Sequence, residues 1–272
     1  MPFKMKYQIK KDYLDKGSKK RSGDQIEEVK FVVAHDTGTK GKSARERLQY
    51  HKENQNNEES SVHTIIDARQ IIEVIPTGLA DDEQAEKAHH VSDEKLTDNQ
   101  IYGGNANDHA IGVELCFGKK VNSRMAYKRY VWYLAYICFI HKLNPSWDVI
   151  GHMLLAPGSE SDPQDALTTK GKTYEEMLQD VADEYQECAI PDPESSEFML
   201  EEGSEGSKVK KLQENLDLLG FNTGTADGIY GEKTKNGVIQ LQTKLDLEVD
   251  GIVGPATEFK IQEQVSKKRS DS

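Results

Sequence analysis

The sequence of 272 residues is poor in cysteine and has no long apolar stretch. Its three cysteines, Cys116, Cys138 and Cys188, are an odd number without regular spacing, so we expect free thiols and no disulfide framework. No apolar run reaches the length of a transmembrane helix, which argues against membrane insertion. No apolar segment follows the basic N-terminus either, so we expect no secretory signal peptide and synthesis in a cytoplasm.

Basic residues are outnumbered by acidic ones. The chain has 35 Lys and Arg against 47 Asp and Glu, and its net charge of −12 argues against a general affinity for nucleic-acid phosphates. Residues 1–21 are the exception, since they hold eight Lys or Arg and only two Asp. We interpret this basic segment as a solvated tail, with contact to anionic polymers as the alternative.

Strand and helix patterns alternate along residues 1–189. The β-branched and apolar stretches that predict strands are 29–35, 61–67, 70–75 and 110–116. Helices are predicted after the capping boxes that begin at Ser43 and Thr173, and over the apolar stretch 126–141. Such alternation is typical of an α/β domain whose sheet is covered by helices. The polar stretch 77–108 predicts a long loop that is functional or disordered.

The composition changes after residue 189. Residues 190–203 are acidic and rich in proline, which predicts an extended linker. Residues 204–266 contain two Asp-Gly-Ile turns, at Asp227 and Asp250, 23 residues apart, and helical apolar spacing around them. We predict a small all-α domain of three helices there, followed by a tail at 267–272. Calcium loops are not expected, because the preceding ligand positions lack carboxylates.

Two histidines and one aspartate are the candidate metal ligands. His35 ends the first predicted strand, and His152 and Asp162 lie ten residues apart, with Pro157 and Gly158 between them allowing a tight loop. Two imidazoles and a carboxylate form a three-ligand zinc set that leaves a fourth position for water or substrate. We therefore predict a hydrolytic Zn2+ centre, although a single histidine at a strand end is more often structural.

Glu114 is a carboxylate within a predicted buried strand. On that strand Gly112, Glu114 and Cys116 share one face, and the two small neighbours leave room for a metal or substrate. We predict that Glu114 is a general base, with an ion pair to a nearby Arg or Lys as the alternative. Cys116 is a less favoured metal ligand than Asp162.

Four sequence blocks, taken together, resemble the type 2 N-acetylmuramoyl-L-alanine amidases. The blocks are Phe31–Thr37, Ser61–Asp67, Ile111–Leu115 and Gly151–Pro163. The resemblance implies a mixed β-sheet with flanking helices, and hydrolysis of the amide between N-acetylmuramic acid and L-alanine in peptidoglycan. By position it implies that the zinc ligands are His35, His152 and Asp162 and that the catalytic glutamate is Glu114.

The residues that line the substrate groove in this family are matched less completely by this sequence. His63 and His90 correspond to histidines that often line the groove, where they would bind substrate or donate to the oxyanion; structural roles are equally open. Many members carry a lysine two residues before the aspartate, and here that residue is Glu160. An ionised carboxylate cannot donate a hydrogen bond, so the oxyanion donor would be His63, His90, Lys170 or zinc alone.

The C-terminal region resembles the three-helix peptidoglycan-binding domain. Besides the two Asp-Gly-Ile turns, the matching residues are Gly206, Val209, Leu212, Gln213, Leu216, Gly220, Phe221, Thr234, Gln240 and Thr257. An amidase joined to a wall-binding module without a signal peptide resembles a phage or prophage endolysin. That resemblance implies synthesis in the bacterial host cytoplasm and release to the wall through a holin.

Two other functions remain open from the sequence. A peptidoglycan recognition protein would bind without catalysis, and the Glu160 departure is the feature that favours it. A zinc endopeptidase would cut within the stem peptide, but such enzymes often carry a His-x-His pair, and the chain has none. Product analysis separates both alternatives from an amidase, because a recognition protein cuts no bond and an endopeptidase cuts a different one.

Overall fold

The computed structural model describes residues 3–79, 83–91, 102, 104–157, 160–189 and 199–270. The chain divides into two compact units, Met1–Asp192 and Pro193–Ser272. Residues 190–198 of the predicted linker lie outside the described residues. The predicted boundaries of the catalytic region, linker, binding region and tail stay predictions.

Six strands among the described residues of the first unit form one sheet, in the order β1-β4-β3-β5-β2-β6. The strands are β1 Ile9–Lys11, β2 Phe31–Asp36, β3 Thr64–Ile66, β4 Ile71–Glu73, β5 Ala110–Leu115 and β6 Val149–Gly151. The β3–β4 pair is antiparallel and the other pairs are parallel. This mixed sheet confirms the predicted fold class.

The described helices of the first unit all follow β2 in the chain, some between later strands and some after β6. Those of the first unit are α1 Ala44–Asn54, α2 Ala106–His109, α3 Ser123–Ile140, α4 His152–Leu155, α5 Gln164–Thr168 and α6 Tyr174–Cys188. The predicted capping boxes are both formed, at the starts of α1 and α6. No helix among the described residues is long and apolar enough to span a membrane.

Strand β2 positions the site, because it lies between β5 and β6 and all six of its residues are buried. Its apolar, β-branched residues suit a strand that is covered on both faces. The parallel register places His35 beside Glu114 of β5. It also pairs Ala34 with Gly151 of β6, so that His152 follows at the same edge of the sheet.

The interpretation of residues 1–21 as a solvated tail is wrong. Strand β1 pairs with β4, which makes the basic segment part of the sheet. Phe3 packs on the ring of Trp132 at 6.1 Å between centroids, and Leu14 is 1% exposed. Even Lys20 is buried, where its ammonium group donates to Glu58. Apolar residues interspersed among the lysines anchor the segment, and charge alone did not reveal them.

The second unit contains the three predicted helices, α7 Ser207–Leu218, α8 Glu232–Lys244 and α9 Pro255–Ser270. The last helix extends four residues into the predicted tail. Two buried glutamines explain the repeated Asp-Gly-Ile turns, because each binds one turn through both ends of its amide. Gln213 accepts from the Gly228 N–H at 2.8 Å, and Gln242 accepts from the Gly251 N–H at 2.9 Å.

Candidate metal centre

The structure brings the three predicted metal ligands together. His35 belongs to β2, His152 directly follows β6, and Asp162 lies in the loop between α4 and α5. The Nδ1 atoms of the two histidines each lie 2.9 Å from a different oxygen of the Asp162 carboxylate. One ligand atom from each residue lies within 4.8 Å of the other two. The binding of a metal by these residues stays a prediction.

The three side chains are largely buried, and burial governs their protonation. Burial lowers the pKa of His35, and the hydrogen bond with Asp162 opposes this only in part. For Asp162, burial alone would raise the pKa, but the hydrogen bonds with His152 and His35 outweigh it and lower the pKa. The cluster therefore favours an ionised carboxylate beside a neutral His35, a set of donor atoms that suits a divalent cation.

The segment that carries Asp162 is fixed to the sheet by hydrogen bonds between two side chains and nearby backbone groups. Asp36 of β2 accepts a hydrogen bond from the Ala166 N–H of α5 at 3.1 Å. The hydroxyl of Tyr174 accepts from the Gly151 N–H at 2.7 Å and donates to the Val149 carbonyl at 2.8 Å. These bonds hold the end of β6 and the start of α5, and so the segment between them, against β2. Sequence reasoning missed both residues.

Glu114 lies next to the metal candidates and also forms the ion pair that was its alternative explanation. Its Oε1 atom is 3.3 Å from Nη2 of Arg47, a residue of α1, and both side chains are more than four-fifths buried. Its Oε2 atom is buried without a hydrogen-bond partner in the described structure. Burial raises the pKa of Glu114, while Arg47 lowers it. Sequence reasoning missed Arg47, because nothing in a polar helix shows that one arginine turns inward.

Cys116 lies two residues beyond Glu114 and belongs to the apolar core. Burial raises the pKa of its thiol well above the usual value, so the thiol stays protonated. The group of candidate ligands whose atoms converge among the described residues consists of His35, His152 and Asp162 and does not include Cys116. Asp162 is therefore the better third ligand.

The two groove histidines of the sequence analysis are both buried. The Nδ1 atom of His63 accepts from the Gly112 N–H at 2.9 Å, and its Nε2 atom donates to the Glu86 carbonyl at 2.8 Å. Burial lowers the pKa of His63 to about 4, so the ring is neutral and both nitrogens are used by the backbone. His90 lies behind His35, with 3.1 Å between its Nδ1 atom and Nε2 of His35. Contact of either histidine with substrate stays a prediction.

Lys170 is the one remaining side-chain candidate for an oxyanion donor, and Glu160 occupies the position where many members of the family carry a lysine. Glu160 is exposed, and its backbone N–H donates to the Ala156 carbonyl at 3.1 Å. Lys170 lines a cleft together with Lys6 and Arg124, and none of the six predicted site residues lines that cleft. Among the residues near Glu114, Arg47 is the cation that makes a described contact.

Comparison with known proteins gives two family matches. The model of the N-acetylmuramoyl-L-alanine amidase family matches residues 25–165, which is just over half of the chain. A model of a peptidoglycan binding domain matches residues 205–258. The two matches fall in the first and second structural units.

Individual proteins agree with these matches. The chain is similar to N-acetylmuramoyl-L-alanine amidase CwlL of Bacillus licheniformis, with 28% identity over 277 residues that cover 97% of this chain and 74% of the relative. Its fold is similar to the catalytic domain of XlyA, with a TM-score of 0.51, 19% identity, and coverage of 64% of this chain and 99% of that domain. A mutant endolysin from Bacillus subtilis gives a TM-score of 0.52, 20% identity and the same coverage.

Proposed function

Because the chain belongs to the N-acetylmuramoyl-L-alanine amidase family, we propose that Zn2+ held by His35, His152 and Asp162 supports its hydrolysis of peptidoglycan. The bond that it cleaves joins the lactyl group of N-acetylmuramic acid to the L-alanine of the stem peptide. The convergence of two imidazole nitrogens on one carboxylate, 2.9 Å from each of its oxygens, carries the proposal.

The residues present fit a zinc ion. A lone pair on each histidine and an ionised carboxylate provide three donors, and catalytic zinc sites commonly use three protein ligands and keep one position open. The structure supplies these donors from buried, hydrogen-bonded segments. When bound, zinc would lower the pKa of a water molecule to about 7 and polarise the scissile carbonyl.

Glu114 is the proposed general base and acid. It would take a proton from the attacking water and deliver it to the alanine nitrogen as the carbon–nitrogen bond breaks. Arg47 would hold one carboxylate oxygen of Glu114 through the 3.3 Å contact, which leaves the Oε2 atom for the proton transfer. Arg47 also opposes the rise in the pKa of Glu114 that burial causes, which favours the ionised form that can accept a proton.

The second unit has a different role in the proposal. We propose that residues 204–266 bind the wall and so raise the local concentration of the catalytic unit on an insoluble substrate. The match of residues 205–258 to a peptidoglycan binding domain supports this role. Synthesis in a host cytoplasm, phage origin and holin-dependent release stay predictions.

Digestion of purified bacterial cell walls tests the proposal. We expect new N-terminal alanine and no new reducing sugar ends, with activity that a chelator removes and added zinc restores. His35→Ala should lose both turnover and bound zinc. New termini inside the stem peptide would instead indicate an endopeptidase, and wall binding without new termini would indicate a recognition protein.

A further inference from the structure

Two buried histidine rings form a hydrogen-bonded chain that ends on a backbone carbonyl. The Nε2 atom of His35 lies 3.1 Å from Nδ1 of His90. The Nε2 atom of His90 lies 3.3 Å from the carbonyl oxygen of Ala110. The chain runs away from the Asp162 carboxylate, which contacts the other nitrogen of His35. The position of each ring hydrogen can therefore be assigned by starting from the Ala110 carbonyl.

A carbonyl oxygen only accepts hydrogen bonds, so the Nε2 atom of His90 carries a hydrogen. In a neutral His90 ring the Nδ1 atom is then an acceptor, and the hydrogen between the rings belongs to Nε2 of His35. The opposite assignment puts hydrogens on both nitrogens of His90 and a positive charge on a buried ring, which is unfavourable. With the Nε2–H of His35 directed at His90, the Nδ1 atom of His35 is the nitrogen that faces Asp162 at 2.9 Å, where a bound cation would take the place of the proton that the pair otherwise shares.

The surroundings of His90 hold its ring in this position. A Cβ atom at Gly112 would lie 2.7 Å from Cγ of His90, so only a glycine in β5 leaves room for the ring. Asn107 accepts hydrogen bonds from the N–H groups of His90 and Val91 at 2.9 and 3.0 Å. Its amide nitrogen also donates to the Val91 carbonyl at 2.8 Å. The backbone and the ring of His90 are thus fixed separately.

We propose that His90 is a positioning residue that fixes the tautomer of His35, so that Nδ1 of His35 is the nitrogen presented to the metal. The inference rests on the proposed zinc site. It gives His90 a role other than lining the substrate groove, since both of its ring nitrogens are engaged within the protein. Partners of this kind commonly change metal affinity by about 10- to 100-fold.

Two substitutions of nearly equal shape test the role. His90→Asn keeps a side-chain oxygen that can accept from His35, whereas His90→Leu does not. We expect His90→Leu to weaken zinc binding by about 10- to 100-fold and His90→Asn to retain most of the affinity. Zinc affinity is measured on the full chain by competition with a chromophoric chelator. His141→Leu is the matched control, because His141 donates to the Thr77 carbonyl at 2.8 Å and makes no described bond to His35.

Nitrogen-15 NMR of the zinc-loaded wild-type chain gives a second test that does not depend on the folding of a variant. We expect the Nε2–H tautomer for His35, with its signals assigned by their loss in His35→Ala. An Nδ1–H tautomer, or equal zinc affinity of His90→Leu and His90→Asn, would overturn the inference. Wild type and His35→Ala with equal zinc affinity would instead overturn the proposed zinc site, and the inference with it.

Discussion

Both units bury polar side chains, but they satisfy them differently. In the second unit the Gln213 amide meets groups of the opposite kind: its nitrogen lies 3.0 Å from the Asp227 carboxylate and its oxygen accepts from the Gly228 N–H. In the first unit the Asp162 carboxylate faces Nδ1 of both His35 and His152, at 2.9 Å from each. Two facing acceptors require a proton or a cation between them.

The comparison separates buried polar groups that only support the structure from buried polar groups that can take part in chemistry. A buried polar group whose hydrogen-bonding capacity is complete stabilises a turn and has nothing left for a ligand. Gln242 repeats the arrangement with Asp250 and Gly251, which marks it as part of the architecture of the unit. A buried cluster with unmatched acceptors is a site for chemistry. Glu114 belongs to the second kind, because its Oε2 atom has no partner in the described structure.

The largest expected effect comes from removing an unmatched acceptor. Asp162→Ala should abolish zinc binding and turnover, since both histidines lose the carboxylate that lies 2.9 Å from each. Zinc content by atomic absorption and release of N-terminal alanine from walls are the measurements. Asp165→Ala, at an exposed acidic residue three positions later, is the control and should keep both. Full zinc content in Asp162→Ala would break the distinction between the two kinds of burial.

Glu114→Gln should lower kcat by about 100- to 10,000-fold, the usual contribution of a general base or acid. The amide keeps the shape of the side chain but cannot take the proton from water. Zinc affinity should stay close to that of wild type, because Glu114 is not among the three proposed ligands. A variant that loses zinc along with activity would make Glu114 part of the metal site.

The sequence predicted the position of His35 and the two Asp-Gly turns better than it predicted how the strands are arranged around the site. His35 could be placed at a strand end from the apolar pattern of residues 31–34, and the Asp-Gly turns followed from their repeat. The register that sets His35 beside Glu114 depends on sheet order, which no local pattern encodes. Strand β1, with the sequence Ile-Lys-Lys, is too short and too charged to be predicted.

The side-chain partners were the least predictable part. Arg47 contacts Glu114 only because helix α1 packs beside β3 and β4, over the face of the sheet that carries the site. The roles of His63 and His90 depend on the backbone carbonyls that lie near their rings, that of Glu86 for His63 and that of Ala110 for His90. Sequence reasoning matched both histidines to groove positions and left structural roles equally open, because residue type suggests chemistry without showing whether the hydrogen bonds are already used.

A smaller effect is expected from Arg47→Met, which removes the cation beside Glu114 and keeps a long apolar side chain. Arg47 lowers the pKa of Glu114, so the variant should raise it. Glu114 must be ionised to accept a proton, and the acid limb of the kcat profile should therefore move to higher pH. One pKa unit corresponds to about 1.4 kcal/mol. Arg45→Met on the same helix is the control. An unmoved acid limb would show that Arg47 does not control the protonation of Glu114.

The smallest effect on catalysis is expected from Gln213→Leu, which tests the other side of the comparison. The change leaves the Gly228 N–H and the acceptors around it without their partner, and a buried unsatisfied group costs about 1–3 kcal/mol. Amide hydrogen exchange at Gly228 should accelerate, as should exchange at Gly251 in Gln242→Leu. Gln240→Leu, at an exposed position of α8, should leave both rates unchanged. Zinc affinity should also stay constant, because the described bonds of Gln213 all lie within its own unit. If Gln213→Leu altered zinc affinity, complete hydrogen bonding could no longer serve as the mark of a purely structural cluster.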